Sequence, residues 1–363
     1  MKKNNTSAWG LLAVAFAAGL SGCADNQDVQ IPQGSEANAI RFAATADYTR
    51  SGDITTNNLT SFNVYAYIGT GTSPVLFMDN VTVSKTGTNK WEYSPVEYWP
   101  ANDDVNFYAF APASWVGKES PLKAISYDAY PGTEDIVYAV CPNMKGQANL
   151  PNAQVLLNFR HALSKVTVKM SSTNTALQVK VSNVALANIK TKGNFRFPSG
   201  NTANPQSATT VGTWSDQNTP HAYMYLMAQS PSDVVILTST PTDMSDIGMA
   251  LGGAKYMLPQ DLPYLNNGSG TDAYLTVMCS IYDAESGTKL WPNDKTPEEN
   301  LVPDHSLGDG LLKFPLSNSQ VSEWKQGYHY IYNLVINSND EMGVIEFGNP
   351  TVDTYVDVET TYE

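Results

Sequence analysis

The chain reads as an all-β protein assembled from β-sandwiches, and it is too long for one of them. Three observations lead there. Its 363 residues include 20 Tyr, 11 Phe and 7 Trp beside much Thr, Val and Asn, a composition of strands and turns. From Ile40 onward it is a succession of short runs in which apolar and polar residues alternate. Clusters of Gly, Pro, Asn and Asp separate the runs, and no window holds a helical period.

The N-terminal segment stands apart from that pattern. Lys2 and Lys3 open the chain, and Ala8 to Leu20 then carry no charge. That apolar run is shorter than the roughly 20 residues needed to cross a bilayer. A basic start, a short apolar run and small residues make a secretory signal, which lies outside the fold. Leu20-Ser21-Gly22-Cys23 resembles the bacterial lipoprotein box. The resemblance implies cleavage between Gly22 and Cys23 and a thioether-linked lipid on Cys23. Residues 1–22 are then the signal peptide, and Cys23 is an anchor rather than a structural or catalytic residue. Residues 23–38 are polar and aperiodic and read as a tether.

With 21 Lys+Arg against 35 Asp+Glu, the formal net charge is −14, and removal of Lys2 and Lys3 makes it more acidic. Such a surface disfavours nucleic acid and anionic lipid, so membrane contact is expected only through the lipid. Two cysteines remain, Cys141 and Cys279. An oxidising compartment permits a disulfide between them, while their apolar surroundings favour two buried thiols.

The strands follow in order: Phe62–Tyr67, Val105–Phe110, Ser164–Met170, Val234–Leu237, Tyr274–Met278 and Tyr330–Ile336. The irregular, proline-bearing stretch from Cys141 to Pro151 is the best internal boundary. The expected organisation is therefore an N-terminal sandwich over 39–153, a C-terminal sandwich over 154–350 and a tail over 351–363.

Chemistry-bearing patterns are missing. His161, His221, His305 and His329 never pair at metal-ligand spacing, and His161 and His329, flanked by strand-like sequence, read as hydrogen-bonded structural residues. Ser120-Pro121-Leu122-Lys123 and Lys85-Thr86-Gly87 match fragments of penicillin-recognising enzymes, but in reversed order and without the third motif, so both read as turns. Asp283-Ala284-Glu285-Ser286-Gly287 lacks the spacing of a calcium loop and reads as a hairpin turn. No catalytic set, metal site or cofactor is expected.

The informative segments lie at the two ends. Ile40, Phe42, Ala44, Ala46 and Tyr48 form one alternating row, followed by Arg50 and a polar turn, Ser51-Gly52-Asp53. Val352, Thr354, Val356, Val358, Thr360 and Tyr362 form another, ending at the last residue, with Asp353, Asp357 and Glu359 on the opposite face. Both could be ordinary edge strands. A long alternating edge is also a template for another chain. Cutting between Arg50 and Ser51 would free the first strand, and the vacated groove could accept 351–363 of a neighbour by β-strand addition. Such a head-to-tail contact does not close on itself and builds a filament.

Several stretches resemble the fimbrillins of Bacteroidales-type bacteria, the subunits of type V pili. They are Phe62–Tyr67, Trp91–Pro100, Val105–Pro112, Asn158–Val166 and Trp324–Leu334, in addition to the lipoprotein box. The resemblance implies two transthyretin-like (Ig-like Greek-key) β-sandwich domains in tandem. It implies export as a surface-exposed outer-membrane lipoprotein, trimming after an arginine by a trypsin-like protease, and passage into the fimbrium by donor-strand exchange. Thr49-Arg50-Ser51 stands where the family places the cut. Trp99, Tyr108, Trp324 and Tyr330 are expected in the core.

The leading expectation is a fimbrial structural subunit serving cell adhesion, not an enzyme. Its partners would be other pilus subunits, of its own or a related kind, the processing protease, and a receptor on a host or bacterial surface. The alternative is a non-polymerising surface lipoprotein, either a pilus anchor or an adhesin for glycan or host protein. In that case aromatic residues such as Trp115 or Trp291 would stack on sugar, although both could equally pack between domains.

Overall fold

In the computed structural model the described residues are 38–46, 53–69, 73–88, 90–145, 154–228, 230–244, 255–263, 272–302, 308–317, 321–337 and 351–354. They form three β-sheets, one short α-helix and two single-turn 3-10 helices, which bears out the all-β expectation.

The first sheet contains β1 (Arg41–Ala46), β2 (Ser61–Ile68), β3 (Val75–Gly87), β4 (Lys90–Glu92), β5 (Asp104–Ala111), β7 (Val137–Lys145) and β8 (Gln154–His161). Its order is β1-β8-β7-β5-β2-β3-β4. Between β5 and β7 lie the one-turn helix α1 (Ala113–Val116) and the short strand β6 (Ile125–Asp128). The second sheet is built on the long β10 (Leu177–Arg196), with β11 (Thr213–Met227) on one side and β15 (Tyr274–Asp283) on the other. β6 and β12 (Val235–Ile236) add to β10, and β16 (Lys289–Trp291) and β17 (Gly310–Pro315) add to β15. The third sheet pairs β9 (Ser164–Ser171) with β13 (Thr242–Asp243), β14 (Lys255–Met257) and β18 (Tyr328–Val335), and β18 with β19 (Thr351–Thr354).

Three apolar clusters explain why these strands form where they do. One fills the first sheet with Phe42, Phe62, Val64, Phe107, Leu157 and Phe159. A second lies between the second and third sheets, with Val166, Val168, Val181, Leu186, Leu275 and Leu334. The third joins the two halves: Tyr65, Tyr67, Phe110 and Tyr138 of the first sheet meet Trp115, Phe195, Phe197, Tyr256 and Leu258. β2, β5 and β7 are thus covered on both faces, and Phe62-Asn63-Val64-Tyr65-Ala66-Tyr67 is buried throughout. Polar links reinforce this joint. Tyr138 Oη accepts from Gly212 N at 2.8 Å and donates to Gln326 at 3.2 Å, and Trp214 Nε1 donates to the Ala162 carbonyl at 2.8 Å.

Two sequence expectations need adjustment. The boundary stretch from Cys141 is strand as far as Lys145, because β7 continues to pair with β5 there. A division at 153/154 also separates β8 from the sheet it belongs to, since β8 pairs with β1 and β7. Pairing changes partners after His161 instead, at the Ala162–Leu163 corner that leads into β9.

Other expectations are met among the described residues. Trp99, Trp324 and Tyr330 are core, and Tyr108 packs against the joint. Cys141 and Cys279 are free and buried. His161 bonds Asp135, and His329 bonds Thr167 at 2.9 Å. Asp283 and Ser286 form the hairpin turn between β15 and β16, with Ser286 N donating to Asp283 at 2.7 Å. Trp115 and Trp291, offered as sugar-stacking residues, are 5% and 3% exposed and belong to the core, which removes them as a surface site.

Candidate functional site

The first strand and its seat form the site that the sequence singles out. Ile40, Phe42 and Ala46 are buried and Ala44 is partly buried, while Arg41 and Thr45 face outward, as a period of two requires. β1 stands at one end of its sheet's strand order. It runs parallel to β8, with Arg41 opposite Gln154 and Ala46 opposite Phe159. On its other side the chain just before it meets the segment after β4: Ile40 N donates to the Glu97 carbonyl at 2.9 Å, and Trp99 N to the Asn38 carbonyl at 3.0 Å.

The Phe42 ring makes edge-on contacts with Phe62, Tyr93 and Phe107, at centroid distances of 6.1, 5.4 and 5.7 Å. Side chains from other elements hold both ends of β1 by its main chain. Tyr93 Oη donates to the Ile40 carbonyl at 2.9 Å. Thr56 Oγ1 accepts from Ala46 N at 2.9 Å and donates to the Ala46 carbonyl at 2.6 Å. Burial pushes the Tyr93 phenol up to about 12.

Seven positions downstream of Ala46 the chain is held again, by charge. Asp53 is 1% exposed, which corrects its reading as part of a polar turn. Its carboxylate lies 2.8 and 2.9 Å from Lys165 Nζ, at the start of β9, and accepts from Tyr256 Oη of β14 at 2.5 Å. The next residue is held as well, since Ile54 N donates to Asp135 at 2.9 Å, and Asp135 also bonds His161 Nδ1 at 2.9 Å. Burial, then the charges of Asp135 and Asp53, push the Tyr256 phenol far above its ordinary range. A buried ion pair with its lone pairs occupied is costly to break singly. The chain leaving β1 is therefore fixed to the joint between the two halves before it enters β2.

The remaining predicted residues divide cleanly. Gly22, Cys23, Tyr48, Arg50 and Ser51 lie outside the described residues, as do Val356, Val358, Thr360 and Tyr362. Val352 and Thr354 stand in β19, opposite Tyr330 and Tyr328 of β18. β1 and β19 thus belong to different sheets and do not pair with each other.

The sequence reading missed Thr56, Tyr93, Asp53, Lys165, Tyr256 and Asp135. A lysine inside the apolar run Ser164–Met170 was the available signal, because a cation on a buried strand needs a partner.

No group of His, Cys, Asp and Glu able to hold a metal occurs among the described residues, and none of their helices is long and apolar enough to cross a membrane. An open cleft of about 610 Å³ is lined by Lys190, Trp214, Gln217, Gln260 and Gln326 among others. Three of its glutamines are engaged with the protein itself: Gln217 bonds the Pro259 carbonyl, Gln260 the Lys190 backbone, and Gln326 Gly212 and Tyr138.

A family model described as fimbrillin-like matches residues 49–354. Among solved structures, a fimbrial protein from Bacteroides vulgatus is 15% identical, with 88% of this chain and 100% of that one covered and a TM-score of 0.49. A fimbrilin from Porphyromonas gingivalis is 12% identical, covering 85% of this chain and 91% of its own, at a TM-score of 0.43. The tip fimbrial protein Mfa3 of the same species is 10% identical, covering 81% and 94%, at 0.38. No curated protein matches.

Proposed function

Because the chain belongs to the fimbrillin-like family, we propose that it is a structural subunit of a surface fimbria that serves cell adhesion. In this reading it is exported as an outer-membrane lipoprotein, cut between Gly22 and Cys23 and anchored through the Cys23 lipid. A trypsin-like protease then cuts between Arg50 and Ser51. The first strand leaves with the lipid, and a strand from another subunit takes its seat by β-strand addition. Release from the membrane and entry into the fimbrium are one event. The only membrane contact is the lipid, and no catalysis, cofactor or nucleic-acid partner is assigned.

The observation that carries this reading is how β1 is held. It contributes one face to the core, it pairs by main-chain bonds to β8, and Asp53 is locked independently of it. A strand so placed can leave while β2 stays in position, and what it uncovers is an apolar slot with unpaired main-chain groups on β8. Such a slot is filled most readily by another strand.

The test is the mature N-terminus of protein recovered from shed surface fibres, read by mass spectrometry. A start at Ser51 is expected. A lipidated Cys23 start with no trimmed form would overturn the polymerising reading and leave a pilus anchor or a monomeric surface adhesin.

A further inference from the structure

The seat of β1 has two kinds of contact, and they select differently. At its ends, Tyr93 and Thr56 hold only main-chain atoms, the carbonyl of Ile40 and both backbone groups of Ala46. The β8 pairing is also main-chain. These contacts accept any sequence, provided the strand runs parallel to β8 and spans the distance from Tyr93 to Thr56. Side-chain selection comes from the inward row Ile40, Phe42, Ala44 and Ala46. Its second position is a socket walled by the rings of Phe62, Tyr93 and Phe107 around a side chain that is 1% exposed. The third and fourth positions hold alanine, and Ala46 is 6% exposed. The occupant this seat fits is a parallel strand with an aliphatic residue, an aromatic residue and two small residues at alternate positions.

The chain's own C-terminal strand does not have that row. Its alternating row is Val352, Thr354, Val356, Val358, Thr360 and Tyr362. Every parallel frame that fills all four positions puts Thr354, Val356 or Val358 in the aromatic socket. Each also puts a β-branched residue at the third position and a β-branched or aromatic one at the fourth, where alanine sits now. The socket is left with a void and the small positions are overfilled, and both faults weaken packing. Tyr362 reaches the socket only in a frame that leaves the third and fourth positions unfilled by 351–363. The other row reaches it with Tyr355, but it brings Asp353 and Asp357 into the core, where an unpaired carboxylate is strongly disfavoured.

We propose that this seat selects the strand of a different protein, bearing the aliphatic–aromatic–small–small row, over the C-terminal strand of a second copy, with the Phe42 socket as the selecting element. The inference rests on the strand-exchange reading and narrows it. This subunit follows a chemically distinct neighbour in the fibre rather than another copy of itself.

The experiment uses the full chain with a sequence-specific protease site in place of residues 48–52. After the cut, a labelled peptide of residues 38–47 is exchanged into the seat and then competed by unlabelled peptides. Residues 38–47 are expected to compete well, and the same peptide with Phe42→Ala about a hundredfold less well, as loss of a buried phenyl ring implies. The natural 351–363 peptide is expected to do no better than that variant. Thr354→Phe in the tail peptide is expected to recover at least tenfold. Competition by the natural tail equal to that of 38–47 would overturn the proposal. A first strand that no peptide replaces would instead refute strand exchange itself, so the two failures are distinguishable.

Discussion

Replacing Lys165 by methionine is expected to destabilise the protein by about 3–5 kcal/mol. Lys165 Nζ is 2.8 Å from Asp53, and the two side chains are 5% and 0% exposed. At that separation and an effective dielectric of about 20, the attraction is on the order of 6 kcal/mol. Withdrawing both ions from water offsets much of this, so the intact pair contributes modestly. The single substitution acts through what it leaves behind, a buried carboxylate whose charge is unpaired and which keeps the hydrogen bond from the Tyr256 hydroxyl, 2.5 Å away. Asp53→Leu combined with Lys165→Met removes both charges and is expected to recover at least half of the loss. Urea unfolding of the full chain, followed by tryptophan fluorescence, reads the midpoints, and an unchanged slope licenses the comparison. A loss below about 1 kcal/mol for Lys165→Met, or a double variant no better than the single one, would refute the argument that Asp53 is held by charge at the joint.

Other expectations concern neighbouring parts of the molecule. Tyr256→Phe removes a hydrogen bond to the Asp53 carboxylate and is expected to lower stability by about 1.5–3 kcal/mol in the same assay. Gly212→Ala is expected to cost about 1–3 kcal/mol, because a Cβ there would overlap the Phe195 ring, and a melting temperature within error of the parent would contradict that. Burial holds the Cys141 thiol up at about 11 and the Tyr93 and Tyr330 phenols up at about 12. Groups with raised folded values add stability that is complete below their ordinary values, 9.0 for the thiol and 10.0 for the phenols, and is lost as pH rises through the folded ones. Thermal stability should therefore decline between pH 9 and 12, and Cys141→Ala should reduce the early part of the decline, the rest of which comes from the Cys279 thiol that burial also pushes up. Deleting residues 351–363 should leave a soluble folded chain that no longer donates to a fibre, and electron microscopy showing normal fibres would count against the donor role.

Much of the architecture was legible because β-structure built on alternation leaves a local trace. Phe62–Tyr67, Val105–Phe110 and Ser164–Met170 each carry β-branched or aromatic residues, as strands do, and each became one. The inward row Ile40, Phe42, Ala44 and Ala46 was visible for the same reason, and so were the thiol character of the cysteines and the turn at Asp283. These features depend on a few neighbouring residues, and the sequence holds all of them.

Partnership at a distance left no such trace. Nothing local says that β1 lies parallel to β8, 113 residues later in register at Thr45 and Asn158. Nothing local says that β2, β5 and β7 are buried on both faces, since that follows from the second half docking on the first. Asp53 shows the difference most plainly. Beside Ser51 and Gly52 it has the chemistry of a solvated turn, and only the arrival of Lys165, Tyr256 and the Asp135-bound backbone of Ile54 makes it a buried anchor. Side-chain alternation is written in one segment, whereas the environment that decides a charge's fate is contributed by residues far apart in the chain and exists only once they have packed.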